Sequence, residues 1–256
     1  HGFYGNEGVF KKTIKKIFFS LSKEVFLYGH YSKNIMLGMG FKDENIHVIY
    51  NSLNYEEQLP LRNNLVCSDL YKEYFKNTNK NLIFVGRLTK IKELDLLLEA
   101  LNYLKIKGFN YNLILIGDGE EKENLEKLVN EFDLKSNVWF YGSSYDENTL
   151  AKLIFNSDLC VSPGNIGLTA IHSMMFGTPV LTHGDFPKQM PEFETVVPGQ
   201  TGFFFEYGNV IELAKSIQNW LTLKIDREQI RQNCYKIIDE KYNASNQLRV
   251  FRKILE

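Results

Sequence analysis

Residues 159–183 read LCVSPGNIGLTAIHSMMFGTPVLTH, and this stretch decides the fold. It predicts a short buried strand, a glycine-rich loop, a helix that begins at Thr169 and stops at Gly177, and a second strand that begins with Pro179. A glycine loop that leads into a helix presents free backbone amides and the positive end of a helix dipole, which suit an anion such as phosphate. Ordinary connections of this kind also contain glycine, so this stretch alone leaves both interpretations open.

The composition limits the kind of protein. A chain of 256 residues with 44% hydrophobic residues can bury a core and form more than one domain, and a net charge of −1 argues against nucleic acid as a partner. Its 3 widely spaced cysteines favour a reducing compartment over disulfides or zinc. No apolar run is long enough to span a bilayer and no signal peptide is evident, so a cytoplasmic location is expected. Because the chain begins with His1 rather than methionine, we expect it to be a fragment.

The first 53 residues predict the end of an α/β domain whose beginning is missing. FLYGH at 26–30 is typical of a strand, a helix follows, and 46–50 predicts another strand. Apolar residues at helical spacing over 9–29 predict an amphipathic helix with a basic face. That face either contacts an anionic inner membrane surface or is the solvated side of a helix packed on a core. Its lysines include Lys11, Lys12, Lys15 and Lys16.

Strands and helices alternate regularly after residue 80, which predicts a doubly wound parallel sheet over 81–225. Residues 54–80 are polar, with one helix predicted around 65–75, and are expected to be a hinge. Residues 226–256 are expected to form C-terminal helices. Ligands of such sheets bind at the carboxyl ends of the strands. The predicted strands are 82–86, 111–116, 138–141, 159–161, 179–183 and 201–205, and the helices between and after them are 93–107, 120–132, 146–156, 169–176, 210–221 and 227–241.

Two cations follow the strand 82–86. Arg87 comes directly after it and Lys92 precedes the next helix. Beside the glycine loop, these cations would form a clamp for a diphosphate that needs no metal, although both residue types are also common surface charges. We favour the clamp because the glycine loop lies at the same predicted edge.

One further motif argues against a nicotinamide cofactor, and three single residues each have two interpretations. GDG at 117–119 lacks the third glycine of the dinucleotide fingerprint, so a nicotinamide cofactor is poorly supported. His172 either bonds a ligand hydroxyl or is a structural histidine. Tyr141 and Gly142 either contact a base or belong to the core.

The ordered series of motifs resembles the C-terminal domain of GT-B glycosyltransferases of the retaining, nucleotide-sugar-dependent family-four group. IHVIYNSL at 46–53 is similar to their linker strand. The resemblance implies two Rossmann-like domains, with the sugar donor held mainly by the second. It also implies transfer of a sugar from a nucleotide diphosphate donor to a glycan or lipid-linked acceptor, in cell-surface polysaccharide biosynthesis and without a required metal or cofactor. The motifs are VGRLTKIK at 85–92, GDG at 117–119, 138–142, 158–163, GTPV at 177–180 and 201–208.

The resemblance also assigns roles to single residues. Arg87 and Lys92 would bind the donor diphosphate and stabilise the leaving group electrostatically. His1 is a candidate for the histidine that related enzymes place near the reacting sugar. The remaining donor-binding candidates are Gly86, Gly117, Tyr141, Gly142, Gly164, Asn165, Ile166, Gly167, Leu168, Thr169 and His172.

This sequence departs from the family pattern at three positions. The two glutamates that usually flank the glycine loop fall on Gly164 and His172, and the glycine that usually follows the clamp lysine is Glu93. The departure implies either a changed donor or lost activity, and we favour a changed donor because Arg87 and Lys92 remain. Two nearby carboxylates either compensate or are solvated loop charges: Glu192 and Glu194.

Three functions follow from the sequence. The first is a glycosyltransferase, and this chain alone is expected to be inactive because the cleft lies between two domains. The second is a sugar-nucleotide epimerase of the same fold, which needs carboxylates in the cleft. The third is a non-catalytic module that binds a nucleotide sugar.

Overall fold

The computed structural model describes residues 8–224 and 226–255. Within these residues the chain forms two parallel sheets and the helices that cover them. The strands are β1 (Val25–Leu27), β2 (Ile46–Val48), β3 (Asn81–Val85), β4 (Asn112–Ile116), β5 (Val138–Gly142), β6 (Leu159–Ser162), β7 (Val180–His183) and β8 (Gly202–Phe205). The α-helices are α1 (Val9–Ser20), α2 (His30–Gly38), α3 (Tyr55–Asn63), α4 (Leu70–Phe75), α5 (Leu94–Ile106), α6 (Lys122–Glu131), α7 (Glu147–Phe155), α8 (Thr169–Met175), α9 (Val210–Thr222), α10 (Arg227–Glu240) and α11 (Ala244–Leu255).

The main sheet has 6 parallel strands in the order β5-β4-β3-β6-β7-β8. The chain proceeds outward from β3 to β5, crosses back to β6 beside β3, and then proceeds to β8. This is a doubly wound order with its reversal between β3 and β6, where ligands of such sheets bind. The α/β fold with a doubly wound parallel sheet is confirmed.

The strands of this sheet are apolar because helices cover both faces. Leu82, Ile83 and Phe84 of β3 are fully buried, and every residue of β4 and β6 is buried. The helix α5 presents leucines at helical spacing to this core. They are Leu94, Leu97, Leu98, Leu101 and Leu104.

The smaller sheet pairs β1 with β2, with Val25 opposite Ile46. The last helix, α11, returns to this sheet. The Phe251 ring lies 4.6 Å from the Phe26 ring, and the Gln247 amide donates to the carbonyl oxygen of Tyr50 at 2.7 Å. The first and last parts of the described chain therefore pack together.

The amphipathic helix is shorter than the sequence predicted. It ends at Ser20 rather than residue 29, because Val25 to Leu27 pair with β2. The side chains of Phe10, Phe18 and Leu21 are exposed. Among the helices in the described ranges, none is long and apolar enough to cross a membrane.

Two helices, rather than one, occupy residues 54–80. The helix α4 lies within the predicted 65–75, but α3, which has Pro60 inside it, was not predicted. Proline removes a backbone hydrogen-bond donor and usually ends a helix. In α3 the Gln58 side chain is nevertheless buried, and it contacts Glu147 at the start of α7.

Candidate functional site

The loops after β3 and β6 meet at the point where the strand order reverses. Gly86 and Arg87 follow β3, and residues 163–168 lead from β6 into α8. The hydroxyl of Thr169 donates to the carbonyl oxygen of Val85 at 2.8 Å and so joins the start of α8 to the end of β3. The structure therefore brings the predicted cations and the predicted glycine loop to one crevice.

A cavity of about 400 Å³ opens on one side of this crevice. Gly117 permits its shape, because its φ is 145° and a Cβ there would lie 1.9 Å from the carbonyl oxygen of Gly86. Only glycine fits so close an approach. The cavity is lined by Val85, Gly86, Arg87, Ile116, Gly117, Asp118, Gly119, Ser143, Ser144 and Tyr145.

Lys92 is held by the opposite loop. Its ammonium donates to the carbonyl oxygen of Asn165 at 2.7 Å and to the side-chain oxygen of Asn165 at 2.8 Å. Burial, the largest cause, and the charge of Arg87 lower the pKa of Lys92 to about 8, against the opposing charge of Glu192. An ammonium has three donors, so one remains for a ligand after the two bonds to Asn165.

Arg87 differs from Lys92 in exposure. Its side chain is exposed and lines the cavity of about 400 Å³. It is close enough to Lys92 that its charge lowers the pKa of that ammonium. The crevice thus has one fixed, half-buried cation and one exposed cation.

Gly164, where the family usually has a glutamate, contacts backbone directly. Its N–H donates to the carbonyl oxygen of Lys92 at 3.0 Å. A Cβ at this position would lie 2.0 Å from the carbonyl oxygen of Ile91. Because the two loops touch there, no side chain fits without a shift of the backbone.

The rest of the glycine loop is divided between core and surface. Ile166 is fully buried, and its N–H donates to the side-chain oxygen of Gln189 at 3.0 Å. Leu168 is 44% exposed, and Gly167 has a positive φ of 54°. Ile166 therefore anchors the loop through its side chain and its amide.

His172 lies among protein side chains. Its Nε2 is 2.8 Å from Oε1 of Glu147, which also accepts from the Gln58 amide at 2.7 Å. The ring packs edge-on against Phe176. Burial raises the pKa of Glu147, but the hydrogen bond and charge of His172 outweigh it and lower that pKa overall. This placement agrees with the structural interpretation of His172.

Tyr141 packs beside Trp139, with 5.1 Å between the ring centroids, and does not line the cavity. The next residues do: Ser143, Ser144 and Tyr145. Tyr145 is 96% exposed at the cavity, and sequence reasoning missed it. An aromatic residue in a polar loop between a strand and a helix is the signal that would have found it.

Glu192 and Glu194 are not solvated loop charges, so that alternative is wrong. Glu192 is only 2% exposed and accepts from the side-chain amide of Asn51 at 2.8 Å. Glu194 accepts from the backbone N–H groups of His30 and Tyr31, at 2.8 and 2.6 Å. The Glu194 carboxylate therefore stabilises the start of α2 and connects that helix to the segment before β8.

A second cavity, of about 320 Å³, is lined in part by Gly164 and Asn165 of the glycine loop. Glu93 also lines it, and the Tyr207 hydroxyl donates to Glu93 Oε1. Burial lowers the pKa of His183, which also lines this cavity, to about 4. Glu93 departs from the family pattern, and its place in the lining of a cavity was not predicted from the sequence.

Two further expectations concern a metal and His1. In the described part of the chain, no group of three or more His, Cys, Asp or Glu side chains is placed to hold a metal ion. His1 lies outside the described residues.

CapM of Staphylococcus aureus, a capsular polysaccharide biosynthesis glycosyltransferase, is 26% identical over 194 residues, which are 73% of this chain and 48% of CapM. The chain spans 39%, 52% and 59% of three other curated relatives.

Solved structures share the fold. A glycosyltransferase from Rickettsia africae ESF-5 has a TM-score of 0.76 and 22% identity, over 100% of this chain and 69% of that one. Anabaena HepE in complex with UDP has a TM-score of 0.70 and 20% identity, over 91% of this chain and 64% of that one. These likenesses confirm the predicted GT-B type of α/β fold. The family model for glycosyl transferases group 1 matches residues 70–237, more than half of the sequence, and the chain therefore belongs to this family.

Proposed function

We propose that this chain is the donor-binding part of a glycosyltransferase. The reaction moves a sugar from a nucleoside diphosphate sugar to an acceptor hydroxyl. The observation that carries the proposal is the Lys92 ammonium, which Asn165 fixes close to Arg87 at the reversal point of the sheet. A fixed cation beside an exposed one suits a diphosphate.

The two cations would act on the leaving group. Negative charge builds on the diphosphate as its bond to the sugar breaks, and charges already in place stabilise it without reorganisation. Lys92 has one donor left for a phosphate oxygen, and Arg87 offers a planar guanidinium at the cavity of about 400 Å³. In this proposal the nucleoside occupies that cavity, and the cations make a metal unnecessary.

The donor and acceptor are inferred from relatives. HepE was solved with UDP, and CapM is named for capsular polysaccharide biosynthesis. We therefore take UDP-sugars as the first donors to test and a glycan or lipid-linked hydroxyl in cell-surface polysaccharide synthesis as the acceptor. We further propose retention of the anomeric configuration, as the resemblance implies. Turnover is assigned to a protein with both domains, because this chain spans 39–59% of three curated relatives.

The first experiment is calorimetric titration of the chain with UDP, GDP, CDP and ADP, without added metal. We expect one of them to bind selectively. If none binds to this chain or to a protein extended to both domains, the proposed function is wrong.

Product analysis then separates the alternatives in the two-domain protein. Transfer yields a glycoside and a nucleoside diphosphate, whereas an epimerase yields a new nucleotide sugar without an acceptor product. Binding without any product favours the non-catalytic module. The anomeric configuration of the glycoside, read by NMR, tests retention.

We also propose that α1 contacts an anionic membrane surface on the cytoplasmic side. Its exposed Phe10 and Phe18 are accompanied by lysines on the same short helix, a combination typical of interfacial helices. Sedimentation with vesicles of anionic or neutral lipid tests this. Equal sedimentation of wild type and the Phe10→Ser/Phe18→Ser variant would contradict it.

A further inference from the structure

Glu93 has a backbone conformation that disfavours any residue with a Cβ. Its φ is 49° and its ψ is 42°, in the left-handed region. Glycine adopts this conformation without a steric penalty, and glutamate does not. A strained residue beside a candidate site calls for a reason that lies in its side chain.

Capping of α5 does not supply that reason. Glu93 is the N-cap residue of α5, yet its side chain makes no capping hydrogen bond. Asp, Asn, Ser and Thr are the usual N-cap residues because their short side chains reach the first amides. Glu93 instead lines the cavity of about 320 Å³, where its carboxylate accepts from the Tyr207 hydroxyl.

One oxygen of this carboxylate is held, and the other has no partner. The Tyr207 hydroxyl donates to Oε1. That bond raises the pKa of Tyr207 to about 12, so its hydroxyl stays protonated and keeps donating. Oε2 is buried and has no hydrogen-bond partner among the described residues. A buried carboxylate oxygen without a donor is unfavourable, so a hydroxyl group supplied by a ligand would stabilise it.

The cavity also contains a hydrogen-bond donor, the ring of His183. The N–H of Asp185 donates to Nδ1 of His183 at 3.1 Å, so the neutral ring carries its proton on Nε2. Lys188 lies with its ammonium 3.7 Å from the centre of the Tyr207 ring. Acceptors and donors around one small space are what several hydroxyl groups on a ring require.

The cavity adjoins the proposed diphosphate site. Asn165 lines it and also binds the Lys92 ammonium at 2.7 and 2.8 Å. Gly164 also lines the cavity, and its N–H donates to the carbonyl oxygen of Lys92 at 3.0 Å. A group attached to a diphosphate at Lys92 would therefore lie beside the loop that lines this cavity.

We infer that Glu93 selects the donor by accepting hydrogen bonds from hydroxyl groups of the transferred sugar in this cavity. The inference rests on the proposed function, because it takes a diphosphate at Lys92 as its starting point. Tyr207 is a positioning residue that orients the carboxylate, and His183 is the opposing donor.

The test compares nucleoside diphosphates with nucleotide sugars by calorimetry on the full chain. The probes are UDP, UDP-glucose, UDP-galactose and UDP-N-acetylglucosamine. GDP and GDP-mannose test a second base. The variants are Glu93→Gly, Glu93→Gln and Tyr207→Phe, and the matched control is Glu126→Gln on the exposed face of α6. Glu93→Gly also guards against misfolding, because glycine suits the φ of 49° and should leave the melting temperature unchanged or raised.

We expect one nucleotide sugar to bind wild type at least tenfold more tightly than its nucleoside diphosphate. Glu93→Gly should remove this gain and leave the affinity for the diphosphate within twofold, whereas Glu126→Gln should change neither. Tyr207→Phe should weaken sugar discrimination by less than Glu93→Gly does. Equal effects of Glu93→Gly on both ligands, or no sugar-dependent gain in wild type, would overturn the inference. Absence of diphosphate binding, both by this chain and by a protein extended to both domains, would instead overturn the proposed function.

Discussion

The Lys92 ammonium lies 2.7 Å from the carbonyl oxygen and 2.8 Å from the side-chain oxygen of Asn165. The cation of the loop after β3 is thus positioned by the loop after β6. The proposed diphosphate site therefore depends on contact between these two loops, one from each half of the sheet.

The first prediction concerns the two cations. Arg87→Ala and Lys92→Ala should each weaken binding of the nucleoside diphosphate by about 1.5–3 kcal/mol, since each removes a charge-assisted hydrogen bond. Lys127→Ala, on the exposed side of α6, is the control and should have little effect. Calorimetry measures all three. Equal losses in the control and the site variants would contradict the assignment.

The second prediction is a pH dependence of diphosphate binding. The pKa of Lys92 is lowered to about 8, and an anionic ligand favours its charged form. Affinity should therefore be highest below pH 8 and fall by up to about tenfold per unit as the pH rises above it. Lys92→Arg stays charged over this range and should flatten the profile. A wild-type affinity that is constant from pH 7 to pH 9 would contradict the role of Lys92.

The third prediction concerns Gly164. Gly164→Ala places a Cβ 2.0 Å from the carbonyl oxygen of Ile91, so it should lower the free energy of unfolding by about 1–3 kcal/mol. The Glu that the family usually has there should be no better tolerated. Gly38→Ala is the control, because no atom lies within 4 Å of a Cβ at that position. Urea unfolding compares the variants, and a neutral Gly164→Ala would show that the two loops separate easily.

The fourth prediction concerns His183. Its pKa falls from the ordinary 6.5 to about 4 on folding, mainly because it is buried. Its contribution to stability is therefore fully present above pH 6.5 and is lost as the pH falls towards 4, by an amount on the order of 2–3 kcal/mol. His183→Asn should remove this part of the acid dependence. Unfolding curves at pH 7, 5.5 and 4 give the comparison, and parallel losses in both proteins would contradict the neutral state of His183.

The sequence was sufficient for the main sheet because several signals agreed there. Most strands from β3 to β8 are mainly apolar runs, and each following helix has its own periodicity and stop. It was less precise for the short elements. Strands were predicted at 26–30 and 46–50, but the predicted amphipathic helix over 9–29 overlaps β1, and α3, in the polar residues 54–80, was not predicted. Such elements depend on distant partners rather than on local propensity.

The candidate site shows the same division. Arg87 and the glycine loop reach one crevice because carboxyl ends of parallel strands share an edge, so their convergence could be predicted. The direction of the Glu93 side chain could not, because its partner Tyr207 is 114 residues away in the chain. The pairing of Glu192 with Asn51 spans 141 residues and has no local signal either.

The return of α11 to β1 has a consequence for how the chain folds during synthesis. Gln247 bonds Tyr50 across 197 residues, and Phe251 covers Phe26. On the ribosome, Phe26 stays uncovered until nearly the whole of this sequence has emerged, even though the main sheet can assemble earlier. A premature stop before residue 244 would therefore expose the earliest strand while leaving the six-stranded sheet complete. A protease should cut purified truncations of this kind first near β1, which is far from the missing residues in the sequence although it packs against them in the fold.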